Sequence, residues 1–144
     1  MKTKSEEIAL EAFTSGYNCA QSVVEAFREE TGLDRETARK AAAGFGGGLG
    51  RMAETCGAVS GAVIVLGLTC TEKDPAAAKA RTYEKVKRFI ETFRQYYGSA
   101  VCREILGEDI STADGLKRAN EQGLFEKRCN GVVKDAVKIL EELV

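Results

Sequence analysis

Five cysteines and no histidine set the chemistry open to this 144-residue chain. Imidazole acid–base catalysis, bis-histidine haem ligation and mixed cysteine–histidine zinc sites are excluded. The cysteines are Cys19, Cys56, Cys70, Cys102 and Cys129, and no two form a C-x-x-C. The thioredoxin signature and the common zinc and ferredoxin spacings are therefore missing. A joint site has to be assembled from distant segments. Four of the five stand near helix-start signals. Cys19 follows Asn18, a good N-cap. Cys56 follows Thr55, whose hydroxyl suits a free amide of the first turn, so Cys56 is expected as the first helical residue. Cys102 comes three residues after Ser99, and Cys129 falls in the first turn or so of the last helix, beside Lys127 and Arg128. The positive end of a helix dipole favours thiolate at such places. Cys70 follows the end of its segment, where the dipole opposes negative charge, and is expected to be a bystander.

The elements that must position these thiols centre on the stretch from Gly44 to Cys70. It opens with Gly44, Gly46, Gly47, Gly48 and Gly50, then passes Arg51 to Cys56-Gly57-Ala58-Val59-Ser60-Gly61. The residues after Cys56 are apolar on every side, which predicts a buried central helix over about 56–68. Gly57 and Gly61 are four apart, share a face, and admit a second helix closely. The glycine loop invites a nucleotide reading and fails it. Neither G-x-G-x-x-G nor G-x-x-x-x-G-K-[ST] is present, and no strand precedes it. A phosphate on the loop amides beside Arg51 is a weaker alternative to a tight, close-packed connection.

The rest of the chain is helical in pattern, with one proline and no strand-like alternation. Segments 4–15 and 19–31 come first, the second with Ala20, Val23, Val24 and Phe27 inward and Gly32 ending it. Asp34 caps a third. Asp74 and Pro75 start a long helix on which Tyr83, Val86, Ile90, Phe93 and Tyr97 define a buried stripe, closed by Gly98. Short segments follow at 99–106 and 112–121. The last helix is expected from roughly Lys127 to Leu143, with Val133, Ala136, Val137, Leu140 and Val144 inward. The expectation is an all-α, single-domain bundle (1–144) of about six to seven helices around the central one.

Lys plus Arg number 21 against 22 Asp plus Glu, a net charge of −1, which argues against nucleic acid or an anionic membrane as partner. The opening residues lack a signal-peptide core, and the apolar run from Ala58 to Leu68 is too short for a bilayer, so a cytoplasmic protein is expected. In that compartment cysteines more often serve metal binding, redox chemistry or packing than permanent disulfides. A centre this apolar is compatible with a homodimer.

These residues also carry a resemblance covering nearly the whole chain. GYNCAQSV around Cys19, GFGGGLGRMAET before Cys56-Gly57-Ala58-Val59-Ser60-Gly61, VCREILG around Cys102 and RCNGVV around Cys129 resemble the C_GCAxxG_C_C family of redox-active proteins, named for its four cysteines. Cys70 matches none of the four. The resemblance implies a redox role at Cys19, Cys56, Cys102 and Cys129, with a redox partner it does not identify. Three functions follow from the residues. In the first, one thiolate, expected to be Cys56 aided by Arg51, attacks and another cysteine resolves the mixed disulfide. In the second, the same four cysteines hold an iron–sulfur cluster or a thiolate-bound metal. In the third, they are structural parts of a helical scaffold.

Overall fold

The computed structural model describes residues 1–144. It is all-α, with nine helices and no strand; one antiparallel bridge joins Thr55 to Val101. The first helix, α1 (Lys4–Thr14), starts at a capping box between Thr3 and Glu6. A second box, between Asn18 and Gln21, starts α2 (Cys19–Ala26). Here the structure departs from the single helix expected to Thr31. Phe27 leaves helical geometry (φ −110°, ψ 29°) and its ring is buried in the core. The chain resumes as the one-turn α3 (Arg28–Thr31), ended by Gly32 at φ 77°.

Asp34 caps α4 (Arg35–Ala42), and a 3-10 turn over Ala43–Phe45 leads into the glycine loop. The central helix, α5, runs Gly57–Leu68. Cys56 is therefore its N-cap, not its first helical residue, and Thr55 lies in the bridge to Val101 instead of capping. Burial of α5 is one-sided. Ala58, Val59, Ala62, Val65 and Leu66 are buried, whereas Val63 and Leu68 remain 36% and 45% exposed.

Asp74 and Pro75 start α6 (Pro75–Tyr97) as expected, and Gly98 ends it at φ 74°. Four of its five expected stripe residues hold, with Phe93 buried and Val86, Ile90 and Tyr97 packed against the core. Phe89 and Phe93 are the buried pair, stacked with centroids 5.9 Å apart, and Tyr83 is 66% exposed. The helix has 23 residues, about 34 Å long, and only its C-terminal half meets the core.

Val101, not Ser99, is the N-cap of the short α7 (Cys102–Leu106), so Cys102 is the first residue of that helix. Ser99 instead accepts the Val101 amide on its hydroxyl at 2.9 Å. Thr112 caps α8 (Ala113–Glu121). A π turn over Phe125–Cys129 then runs without a break into α9 (Asn130–Glu141), so Cys129 sits at a π-to-α junction and not at a free helix start.

Two apolar clusters result. The main core takes in α1, α2, α4, α5, the C-terminal half of α6, and α9. A smaller one gathers Ala53, Leu106, Ile110, Ala119 and Leu124, with Cys102 and Cys129 packed on it. No helix is long and apolar enough to cross a membrane.

In the main core α2 and α5 meet through Gly61. A Cβ there would stand 2.8 Å from the Ala20 carbonyl oxygen and 3.2 Å from the Ala20 Cα. Those are backbone atoms of a packed helix and cannot yield cheaply. Gly61→Val is expected to lower stability by about 1–3 kcal/mol, read as a fall in the urea midpoint, with Gly67→Val, where nothing lies within 4 Å, as the tolerated control.

Candidate functional site

A cavity of ≈ 670 Å³ opens between the two clusters, and Cys19, Cys56, Cys102 and Cys129 all line it. Cys70 is elsewhere, with its sulfur 3.8 Å from the Ala78 carbonyl oxygen. All five are free thiols.

Cys19 comes to the cavity because the tip of α2 is tied down on several sides. Asn18 accepts the Gln21 amide at 2.8 Å, and Gln21 accepts the Asn18 amide at 2.9 Å. The same two side chains reach α4 and its end. Asn18 Nδ2 donates to the Ala43 carbonyl at 3.0 Å, and Gln21 Nε2 donates to the Arg39 carbonyl at 2.9 Å. Arg39 lies over the Tyr17 ring at 3.9 Å and donates to its hydroxyl at 2.9 Å. It also grips the buried Glu25 carboxylate through Nε and Nη2, at 3.1 and 2.9 Å. Tyr17, a wall of the cavity, is thereby fixed next to Cys19.

Above this tip the glycine loop turns left-handed. Gly47, Gly48, Leu49, Gly50 and Arg51 all have φ between 57° and 70°. Leu49 and Arg51, with Ala53 at φ 58°, carry side chains, each at a cost of about 1–3 kcal/mol. Cross-loop hydrogen bonds hold the turn: Gly50 to Gly44 at 2.9 Å, Ala53 to Gly47 at 3.1 Å and Glu54 to Gly48 at 2.9 Å. Arg103 clamps its exit, donating to the Ala53 and Met52 carbonyls and the Glu54 carboxylate, each at 3.1 Å. The Cys102 amide donates to the Glu54 carbonyl at 2.6 Å, which sets Cys102 beside the loop. A Cβ on Gly48 would stand 2.7 Å from that of Cys102.

Cys19 and Cys56 are neighbours on the cavity wall, the Cys19 sulfur lying against Gly57, and their acidities separate. The Cys19 thiol is lowered to about 7, first by the hydrogen bond from Cys56, against burial, and then by the amides of Gly47, Ala20 and Cys19 itself. Cys56 is pushed well above its ordinary value by the bond to Cys19, by burial and by the Cys19 charge. The pair thus loses its first proton early and its second late. Cys102 rises to about 11 and Cys129 to about 12, both chiefly from burial and next from the Cys19 charge.

The sequence led to the expectation of Cys56 as the activated thiol; the electrostatics of the folded chain favour Cys19 as the more acidic of the two. Cys56 is only 6% exposed, and the interaction with Cys19, then desolvation and the Cys19 charge, outweigh the helix end. At Cys102 and Cys129 burial likewise wins. Negative charge is favoured at Cys19, first by Cys56 and then by backbone amides; Arg51 is exposed at the cavity edge and is not among the stabilising groups. Gly57 packs its Cα directly against the Cys19 sulfur, whereas Gly61 serves the helix contact away from the cavity. No three His, Cys, Asp or Glu side chains gather into a group that could hold a metal ion.

Several site residues carried no sequence signal. Gly47 and Gly48 were visible only as loop glycines, and Arg103 as one arginine among many. Asn130 also lines the cavity, with its Oδ1 buried and lacking a hydrogen-bond partner. Behind the site the Tyr97 hydroxyl donates to Asp135 at 2.5 Å. Burial and that carboxylate push the phenol above its ordinary value, with the nearby Cys56 adding to the effect.

A helical protein whose separated cysteines meet around one cavity is the class that fold and site define. The chain belongs to the family described as "Putative redox-active protein (C_GCAxxG_C_C)", whose model matches residues 17–143. Comparison with curated proteins and with solved structures gave no match.

The separated acidities have a direct readout. Thiolate fraction rises with pH, so a lowered pKa moves the rise to lower pH. Iodoacetamide is expected to alkylate Cys19 first, with a half-maximal rate near pH 7. Cys56→Ala removes the leading hydrogen bond and is expected to shift that midpoint upward by about one unit.

Proposed function

We propose that this protein carries out thiol–disulfide chemistry, with Cys19 as the attacking thiolate and Cys56 as the resolving thiol. The observation that carries this reading is the placement of the Cys19–Cys56 pair: both face one cavity, and the Cys19 sulfur sits against Gly57, the residue after Cys56, with the two acidities driven apart. An attacking thiol works best with a pKa near ambient pH, because it is then largely anionic yet still nucleophilic. Cys19 meets that condition without a histidine base.

The Cys19 thiolate attacks one sulfur of an organic disulfide. That S–S bond breaks and one half leaves as thiolate. The Cys56 sulfur then attacks the Cys19 sulfur of the mixed disulfide, the second half leaves, and the Cys56 proton passes to it. The protein dithiol loses two electrons to form a Cys19–Cys56 disulfide, and the organic disulfide is reduced to one thiolate and one thiol. The pair's adjacency supports this direct resolution. Cys102 and Cys129 stand on the smaller cluster, and burial raises both above the ordinary thiol value.

In the reading with four thiolates on a metal or cluster, the sulfurs would have to converge. The absence of a tight donor group favours the dithiol reading. Treatment with a stoichiometric disulfide, followed by peptide mapping, is expected to find Cys19 linked to Cys56, and to find the same link in a Cys102→Ser, Cys129→Ser double variant. Mapping that joins Cys102 to Cys129 while Cys19 and Cys56 stay reduced would overturn the assignment. Stoichiometric iron in anaerobically prepared protein, lost with any one of the four cysteines, would favour the cluster.

A further inference from the structure

Glu25 is a carboxylate in the buried part of α2, with its side chain only 5% exposed between Val24 and Ala26. It sits six residues past Cys19, about 9 Å along the helix axis, and outside the thiol cavity. A buried carboxylate is costly unless charged donors serve its oxygens. Arg39 binds both of them, with Nε 3.1 Å from Oε2 and Nη2 2.9 Å from Oε1. Arg35 Nε stands 3.1 Å from Oε1. Both arginines belong to α4. The neighbouring cations are engaged elsewhere: Lys4 pairs with Glu29 at 3.2 Å, and Arg28 donates to the Leu33 carbonyl at 3.3 Å.

Helix α4 has little else to fix it on α2. The residues it buries are Ala38 and Ala42, whose methyl groups remove little apolar surface from water. A polar seam sets its seat instead. Asn18, Gln21 and Glu25 follow one another at three- and four-residue steps along one side of α2 and its cap. Asn18 reaches the Ala43 carbonyl, Gln21 reaches the Arg39 carbonyl, and Glu25 takes the two α4 guanidinium groups.

Two parts of the thiol site depend on that seat. The grip on Glu25 leaves Arg39 Nη1 for the Tyr17 hydroxyl at 2.9 Å, with the guanidinium carbon 3.9 Å from the ring centre. The aromatic wall next to Cys19 therefore follows Arg39. The chain also runs from the end of α4 through Ala43–Phe45 into the glycine loop, which brings Gly47 to Cys19. That loop rests on the same seam: a Cβ on Gly46 would stand 2.5 Å from the Asn18 side chain.

We propose that Glu25 is a positioning residue for the attacking thiol: by locking α4 onto α2 it seats the Tyr17 wall and the glycine loop against Cys19. The inference rests on Cys19 as the attacking thiolate and adds what holds its surroundings in place. Glu25 acts through its two-point grip on Arg39, not through its field. The two modes differ in sign. A distant negative charge opposes a thiolate, so removing the charge alone would favour the anion. Removing the grip draws the loop amide away and disfavours it. Cys19 shares its cavity with Cys56, Cys102, Cys129, Tyr17, Arg51 and Glu126, and the variants below leave all of these residues unchanged.

The readout is the pH profile of Cys19 alkylation by iodoacetamide in the full chain, followed by peptide mapping, with the urea midpoint measured alongside. Glu25→Gln keeps the shape and removes the charge-assisted grip. Arg39→Lys keeps a positive charge beside Glu25, which preserves the fold, but loses the fork and the bond to Tyr17. In both, the half-maximal pH is expected to rise by about one unit, the worth of one lost amide hydrogen bond, which slows alkylation at pH 7 about fivefold. Glu29→Gln, which releases Lys4 in the same neighbourhood, is expected to leave the profile where it was. An unmoved profile in Arg39→Lys would overturn the positioning role even where Glu25→Gln lowers the urea midpoint. A shift to lower pH in Glu25→Gln would also overturn it and assign the carboxylate a field effect. Parent protein whose Cys19 does not react near pH 7, or whose oxidation does not join Cys19 to Cys56, would instead overturn the dithiol reading, so the two failures are distinguishable.

Discussion

The Cys19 sulfur occupies the space that a side chain on Gly57 would need. That contact is the constraint from which the rest of the site follows. Residue 57 is the first residue of the central helix, and Cys19 is the first of α2. With no Cβ between them, two helix tips meet through one sulfur. Gly61, one turn on, extends the same close approach along the helix pair, against Ala20 and Val23. Cys56, immediately before Gly57, is thereby set beside Cys19. A bulkier residue at 57 would move the sulfur out of reach of both Cys56 and the loop amides.

Strain and desolvation are concentrated around this contact. Three residues with side chains sit at left-handed φ in and just after the loop. Such backbone persists only where its surroundings over-determine it, and here the cross-loop hydrogen bonds and the Arg103 clamp do so. The loop so held brings Gly47 to the cavity beside Cys19, where its amide lowers the pKa of that thiol. Burial acts on every thiol in the cavity and raises three of them. Only Cys19 has enough donors to reverse the sign.

Much of the fold was legible from local signals. Asn18, Asp34 and Asp74 cap helices as their types suggest, and Pro75, Gly32 and Gly98 mark ends by backbone geometry that few other residues share. Local signals failed where tertiary contact decides. Phe27 breaks α2 because its ring is buried in the core, and Tyr83 fits a helical period yet lies beyond the bundle. The π turn before Asn130 has no sequence mark. The thiols were legible as a set, since their types and family motif pointed to one site. Their ranking was not. A helix-end argument counts the dipole, which is local, and misses burial and a neighbouring thiol, which are properties of the folded chain.

The central claim is that Cys19 and Cys56 share one early-lost proton, with the negative charge resting on Cys19. Its most direct test is a pH titration of the protein carrying cysteine labelled with carbon-13 at Cβ. The account predicts that the Cys19 signal makes its main excursion near pH 7, with Cys56, Cys102 and Cys129 still protonated well above that point. Four signals moving together near the free-thiol value of about 8.5, or Cys56 moving first, would contradict it.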